Sequence, residues 1–341
     1  MVFTATRIGL ACLLLMACSK AALHDQASIN KPGSSKTAVV AAGAPSDPTR
    51  AILRGYIENV TGADARRYSL KDNVGHTMDC AKIIANPEGG YIAVYHTYVN
   101  GAAKVNLASS TDVLNWTWIR ELAGSNTGSA SQPTIAVASE GGFIMAWEQE
   151  PSNHLKFTYF SSWTNLKNGV VSKSFDAPRT LSSCAEGTPN LYSASIARID
   201  VGHHYYSNCD VDRQARGTLI NFNSWSTQKQ LNFDNALLYW GVKGNIGDRD
   251  ADNFKGYQFG VIEGQGIKGD FGSWRTYLYD YQTGNADTLH IVTDNHSTAF
   301  ANPTITNLTI GGQPAILITL FIPSEGAGSG EAGELVYYKK Y

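Results

Sequence analysis

The chain has 341 residues, only 16% of them charged, and a formal net charge of −2 at pH 7. That length suits one large all-β domain or two smaller ones, and the weak charge excludes a nucleic-acid footprint. Gly is plentiful at 33 residues and aromatics reach 11%, a mix that fits turn-rich strands.

In chain order the first feature is a targeting segment. Arg7 precedes an apolar run from Ile8 to Met16, too short to span a membrane as a helix. Leu15-Met16-Ala17-Cys18 resembles a bacterial lipobox, which implies cleavage before Cys18 and diacylation there. Ser19 rather than Asp follows the cysteine, which implies an outer-membrane destination in a Gram-negative cell, facing the periplasm or the surface. Residues 19–50 are rich in Ala, Ser, Gly and Pro without periodicity and are expected to form a flexible tether. Residues 51–341 are expected to form the folded domain, a monomer.

Strand patterns fill that domain. Arg66 to Leu70 reads as a short strand standing alone. Asp79–Ala85, Tyr91–Thr97, Lys104–Ala108 and Thr117–Leu122 form a first set. Thr134–Ala138, Phe143–Glu148, Leu155–Phe160 and a strand near Thr180-Leu181 form a second. Glu88-Gly89-Gly90-Tyr91-Ile92 and Glu140-Gly141-Gly142-Phe143-Ile144 are nearly identical, which marks a repeat. A third set runs from Asn190 to about Asn232. The fourth starts at Asp250, continues through Tyr257–Ile262 and Trp274–Tyr279, and ends at Leu289–Val292. The fifth has Thr304–Ile310, Ala315–Phe321 and Glu334–Tyr338 but no fourth strand, which Arg66–Leu70 would supply. Alternation at period two prevails, and no long stretch has helical period.

Each set opens on polar residues: Asp79, Gln132, Glu186, Asp248-Arg249-Asp250 and Asn302. They lie about 50–60 residues apart, a spacing that marks a propeller or another repeat array. The expected fold is therefore an all-β, five-bladed β-propeller whose ring an N-terminal strand closes, removing exposed sheet edges. In the export compartment implied by the lipobox, disulfides are permitted. Cys184 precedes one strand and Cys209 ends the next, so antiparallel pairing would bring them together. Cys80 would then remain a buried, reduced thiol.

Two short segments carry a resemblance. Ser110-Thr111-Asp112-Val113-Leu114-Asn115-Trp116 is similar to the Ser-x-Asp-Leu-x-x-Trp turn of five-bladed propeller glycosidases of the family 43 type. Ala185-Glu186-Gly187-Thr188-Pro189 resembles the Glu-Gly-Pro strand start of that group, which carries its general acid. By the same resemblance Asp79 stands where the group's catalytic base stands, and the reaction would invert. Residues 60–341 are also similar to a set of secreted bacterial and fungal propellers of this type. The pattern departs where Cys80-Ala81 follows Asp79 and where Gln132 replaces an acidic strand start.

Topology supplies a separate argument for a site. In a four-stranded blade the first strand starts, and the second ends, on one face of the disc. Strand starts provide His76, Asp79, Gln132, Glu186, Asp248, Arg249, Asp250 and Asn302. Second-strand ends provide His96, Glu148, Glu150, Asn208, Asp210, Glu263 and Glu325. Carboxyls crowded around one axis push their pKa values apart, which suits acid–base cleavage of a glycoside. The leading expectation is a surface or secreted glycoside hydrolase with Asp79 as base and Glu186 as acid. Asp248 or Asp250 would tune the acid. His76, His96, Gln132, Trp147, Glu148, Arg249, Glu263 and Asn302 would bind a carbohydrate, with Trp147 as a stacking platform.

Two alternatives belong to other classes. A polysaccharide lyase would use His76 or a Tyr as base and Arg249 against a uronate. A non-catalytic glycan-binding lipoprotein would show shallow aromatic pockets. Asp112 is expected to shape a turn, and Trp116, Trp163, Trp225 and Trp274 to pack between blades. No cofactor is required, although Ca²⁺ would suit oxygen ligands in the central channel.

Overall fold

The computed structural model describes residues 43–124, 128–247 and 249–341. Cys18 with its lipobox, most of the expected tether, and Asp248 lie outside the described residues.

The first described element is α1 (Asp47–Glu58), followed by the short strand β1 (Ala65–Arg67). Blade 1 contains β2 (Asp79–Ala85), β3 (Tyr91–Val99), β4 (Ala102–Ser110) and β5 (Thr117–Ala123). Blade 2 contains β6 (Ala130–Val137), β7 (Phe143–Gln149), β8 (His154–Phe160), the helix α2 (Trp163–Asn168) and β9 (Lys173–Asp176). Blade 3 contains β10 (Glu186–Ala194), β11 (Arg198–Ser207), β12 (Val211–Ile220) and β13 (Ser224–Lys229), after which comes α3 (Leu231–Leu238). Blade 4 contains β14 (Arg249–Phe254), β15 (Tyr257–Gln265), β16 (Trp274–Asp280) and β17 (Asn285–Thr288). Blade 5 contains β18 (Ala301–Ile310), β19 (Gln313–Ile322) and β20 (Gly333–Lys340).

Among the described residues these strands form five four-stranded antiparallel sheets, the fifth ordered β1-β20-β19-β18. The ring is a five-bladed propeller, and β1 closes it from the N-terminal side, with Ala65 opposite Tyr338 and Arg67 opposite Val336. Apolar residues fill the seams between blades. Ile83 and Ala93 meet Leu308 and Leu317 between blades 1 and 5. Val94 and Val105 meet Ile135 and Phe143 between blades 1 and 2. Ile144 and Phe157 meet Ile199 and Val201 between blades 2 and 3. Alternation makes this possible, because each sheet turns one set of side chains to each neighbour.

Three expectations need correction. The end of the expected tether is helical: α1 starts at Asp47. Leu53, Ile57 and Val60 follow i, i+4, i+7 spacing and are buried against blades 4 and 5, so a short helical pattern was present. Ser46 anchors the helix start, donating from Oγ to Asp280 Oδ2 at 2.6 Å. The strand expected near Thr180-Leu181 is instead β9 at Lys173–Asp176. The one expected at Leu289–Val292 is β17 at Asn285–Thr288, while Leu289 and Ile291 fill a seam. Outer strands are mostly solvated, so apolar runs are poor guides to them.

The inner strands of blades 1, 2, 3 and 5 share one irregularity. Each carries a register shift near its start. The residue in the bulge has positive φ: Cys80 at 55°, Gln132 at 51°, Thr188 at 52° and Asn302 at 46°. Left-handed geometry at a non-Gly residue costs about 1–3 kcal/mol. A bond across the seam offsets that cost each time. Gln132 N donates to His96 Nδ1 at 3.4 Å and Thr188 N to Glu148 Oε2 at 3.2 Å. Asn302 N donates to Glu263 Oε2 at 2.6 Å, and Cys80 N to Glu334 Oε2 at 3.3 Å. The bulges thus turn amides outward and clamp neighbouring blades together.

Candidate active site at the mouth of the propeller

Register places the mouth residues. Asp79 pairs with His96, Ser131 with Glu148, Gly187 with His204 and Ala301 with Phe321. These first members are equivalent positions around the ring. One is an acid and the others are small, so Asp79 is the ionisable side chain among these four positions. Gly187 has a further role, because a Cβ there would come within 1.9 Å of Glu148 Oε2.

Asp79 is partly buried, and Thr77 Oγ1 donates to its Oδ2 at 3.1 Å. Burial pushes its pKa up to about 6, against a small opposing effect of the Thr77 bond. Beneath it lies Glu334, which is 1% exposed. Its Oε1 accepts from Ala81 N at 3.3 Å. Burial first, then the charge of Asp79, hold the Glu334 carboxyl well above the usual range. These two acids are therefore electrostatically linked, the charge of Asp79 disfavouring ionisation of Glu334.

His96 is 4% exposed, and burial lowers its pKa to about 4. With Nδ1 accepting from Gln132, the ring is neutral and carries its proton on Nε2. Tyr98 stands edge-on to His96, centroids 5.5 Å apart, and is 64% exposed. Its ring is open while its hydroxyl end is crowded: burial there, then the charges of Cys80, Glu148 and Asp79, raise its pKa. Tyr98 thus feels the charge of both carboxylates. Glu148 is oriented by Asn153 Nδ2, which donates to its Oε1 at 2.6 Å, and by Thr188 N on its other oxygen. Cys80 is buried and its thiol donates to Gln132 Oε1.

Among the expected site residues, the structure brings Asp79, His96, Gln132 and Glu148 to one side of the mouth. Glu186 lies one residue before Gly187, so strand alternation turns its side chain the other way. It is 2% exposed, and its Oε1 accepts from Thr180 N at 2.6 Å, Leu181 N and Ser182 N at 3.1 Å. The disulfide expected between Cys184 and Cys209 is formed, Cα atoms 5.6 Å apart, and ties the same loop. Glu186→Gln should therefore lower stability by about 1.5–3 kcal/mol, the range for bonds to a charged group. Urea unfolding checks it, and a stability equal to wild type would release Glu186 from this role.

The remaining expected residues sit elsewhere. His76 Nδ1 lies 3.0 Å from Asp72 Oδ2 and its ring packs edge-on to Trp118, on the outer side of blade 1. Trp147 is 4% exposed in the seam of blades 1 and 2, with Nε1 donating to Gln149 Oε1 at 2.9 Å. No ring face is open there to a sugar. Arg249 is 2% exposed, donating to Ala215 O at 2.6 Å and Gln230 Oε1 at 2.8 Å, so it pins blade 3 to blade 4. Glu263 and Asn302 clamp each other across the next seam. The turn role of Asp112 holds, its Oδ1 accepting from Leu114 N and Asn115 N.

Asp250 occupies the axis below the mouth. Its Oδ2 accepts from Lys82 Nζ and from Ile305 N at 2.9 Å, and its Oδ1 from Asn190 Nδ2. Burial raises its pKa, an effect the Lys82 ammonium partly offsets. Lys82 Nζ also reaches Ile305 O at 3.0 Å. The positive charge a central Ca²⁺ would bring is supplied here by Lys82. Among the described residues no group of three His, Cys, Asp or Glu is placed to hold a metal. The channel as built does not fit that ion.

The fold is similar to solved structures of glycosidases. One is an exo-1,5-α-L-arabinanase from a bovine ruminal metagenomic library, 11% identical over 77% of this chain and 92% of that one, TM-score 0.52. A second is a thermostable family-43 glycoside hydrolase, 10% identical over 80% and 92%, TM-score 0.51. A third is an α-L-arabinofuranosidase from Podospora anserina in complex with cellotriose, 11% identical over 80% and 95%, TM-score 0.53. The likeness is one of fold. No protein-family profile and no curated protein matches the chain. The expected resemblance to the family 43 propeller type holds at that level.

Two residues of the mouth were not anticipated. Tyr98 follows His96 by two, so period-two alternation alone puts both on one side. Glu334 begins the third strand of the last blade and reaches Asp79 only because the ring closes. No local pattern signals it.

Proposed function

We propose that the protein is a glycoside hydrolase whose chemistry is centred on Asp79. The observation that carries this is a partly buried carboxyl, Asp79, at the start of an inner strand, with a second oriented carboxyl, Glu148, on the neighbouring blade and an exposed Tyr98 that feels the charge of both. Asp79, with its pKa raised towards 6, suits donation of a proton to the leaving oxygen. Glu148 suits activation of water, and inversion, which the family resemblance implies, would require the two carboxyls to stand about 6.5–9.5 Å apart. Tyr98 offers a ring for the sugar and His96 Nε2–H a donor. Glu186 acts as a positioning residue that shapes the neighbouring loop.

The solved structures of similar fold include enzymes named for arabinose-containing substrates. We therefore place arabinans and other α-L-arabinofuranosides first among candidate substrates. Export on a lipid anchor at Cys18 is part of the same proposal. The lyase roles of His76 and Arg249 have no support, since Asp72 holds the one and blade 3 encloses the other.

The test incubates the purified protein with a polysaccharide panel and reads both reducing ends and the ultraviolet absorbance of unsaturated uronates. New reducing ends, lost in Asp79→Asn and Glu148→Gln and kept in Glu186→Gln, are the expected result. Absorbance from unsaturated products would replace hydrolysis with elimination. Reducing ends that survive in Asp79→Asn would move the chemistry away from the mouth.

A further inference from the structure

Blade 4 carries a second concave surface that the reaction at Asp79 does not use. It is built by the residues after α3, the β15–β16 turn and the segment 288–300 that crosses to β18. All three lie on the face where inner strands begin, the face that holds Asp79. The groove has a volume of about 700 Å³ and is walled by Trp240 and Ile267, with Lys243, Arg275 and His290 along it. Among the described residues lining it there is no Asp or Glu.

The apolar wall is open to solvent. Trp240 is 47% exposed and Ile267 62% exposed. Trp240 Nε1 donates to Ala286 O at 2.6 Å, which fixes the edge of the ring and leaves a face outward. Arg275 Nη1 donates to the carbonyls of Gly272 at 2.9 Å and Trp274 at 2.7 Å, which holds its guanidinium in place. Lys243 and His290 are exposed. Acids nearby are already engaged: Glu58 Oε1 accepts from Arg54 Nε and from His290 N, each at 2.8 Å, and Asp210 pairs with Lys268.

An exposed indole beside one anchored cation, Arg275, and one exposed cation, Lys243, with no acid lining the groove among the described residues, matches one ligand chemistry. A sugar ring offers a C–H face to the indole, and a carboxylate or sulfate on that sugar meets Arg275 and Lys243. We propose that this groove on blade 4 binds an anionic polysaccharide chain. Binding there is independent of the chemistry assigned to Asp79. It would hold a charged polymer on the same face of the disc as the mouth.

Affinity electrophoresis and calorimetry test the groove with matched polymers: polygalacturonate against its methyl ester, and dextran sulfate against dextran. The expected result is retention by one or both anionic polymers and none by their neutral partners, weakening as salt rises. The first pair identifies a carboxylate ligand and the second a sulfate. Trp240→Ala and Lys243→Gln should each weaken binding about tenfold, with unchanged thermal unfolding. Asp79→Asn should bind as wild type, which separates this test from that of the hydrolase. Lys243→Gln is the safer variant, because Arg275 also supports its own loop. Equal retention by neutral polymers, no retention at all, or full affinity in both variants would overturn the proposal. So would a concentration-dependent dimer abolished by Trp240→Ala, which would make this face a protein interface.

Discussion

Asp79→Asn should lower kcat by about 10²–10⁴-fold on any glycoside the protein hydrolyses, the usual contribution of a positioned proton-transfer group. The wild-type rate should fall as pH rises through about 6, where the carboxyl loses its proton, and that basic limb should vanish in the variant. A dinitrophenyl glycoside needs no proton on its leaving group, so with it the deficit should shrink. Rescue by azide instead would mark Asp79 as the base, as the family resemblance implied.

Stability of the wild type should fall with rising pH as its rate does, whereas Asp79→Asn should gain stability where it loses rate. The folded carboxyl has its pKa near 6, raised from 3.8, so between those values the folded state binds more protons than the unfolded one. Stability therefore falls as pH rises across that window and stays low above it. The shift corresponds to about 3 kcal/mol. Asp79→Asn should be more stable than wild type at pH 8 by up to that amount, and equal to it below pH 3.8. Urea melts at the two pH values check this, and a destabilised variant at pH 8 would show that ionised Asp79 has stabilising partners.

The second large effect lies on the axis. Lys82→Met should cost about 3–5 kcal/mol, because it leaves the Asp250 carboxyl buried without its cation. Asp250→Leu in the same chain should recover much of that loss, since removing both partners leaves no unpaired charge. Guanidinium melts of the single and double variants measure the coupling. A loss below about 1 kcal/mol for Lys82→Met would mean that the pair behaves like an exposed one.

Legibility from sequence followed burial. The inner and middle strands of blade 1 are flanked by seams on both sides, so their apolar alternation gave β2 at its observed bounds. Lys173–Asp176 and Asn285–Thr288 are outer strands with few buried positions, so nearby apolar residues misled. The polar strand starts were visible, but their work divides in two. Gln132 and Asn302 occupy bulges whose amides clamp seams, with His96 and Glu263 as acceptors. Only geometry separates a clamp from a catalytic group. Glu186 differs from a mouth residue by one step of register, and Glu334 enters through ring closure.

That closure has a consequence for how the protein is made. β1 is among the earliest described elements to leave the ribosome and β20 among the last, yet they share a sheet. Blade 5 therefore waits for β20 to emerge, and β1 waits with it. Glu334 arrives in the same final step and takes up the amides of Cys80 and Ala81. A chain stopped early would lack both the latch and the acid beneath Asp79. Emergence of β20 and assembly of the mouth are thus the same event, and products cut before β20 should carry neither a closed ring nor activity.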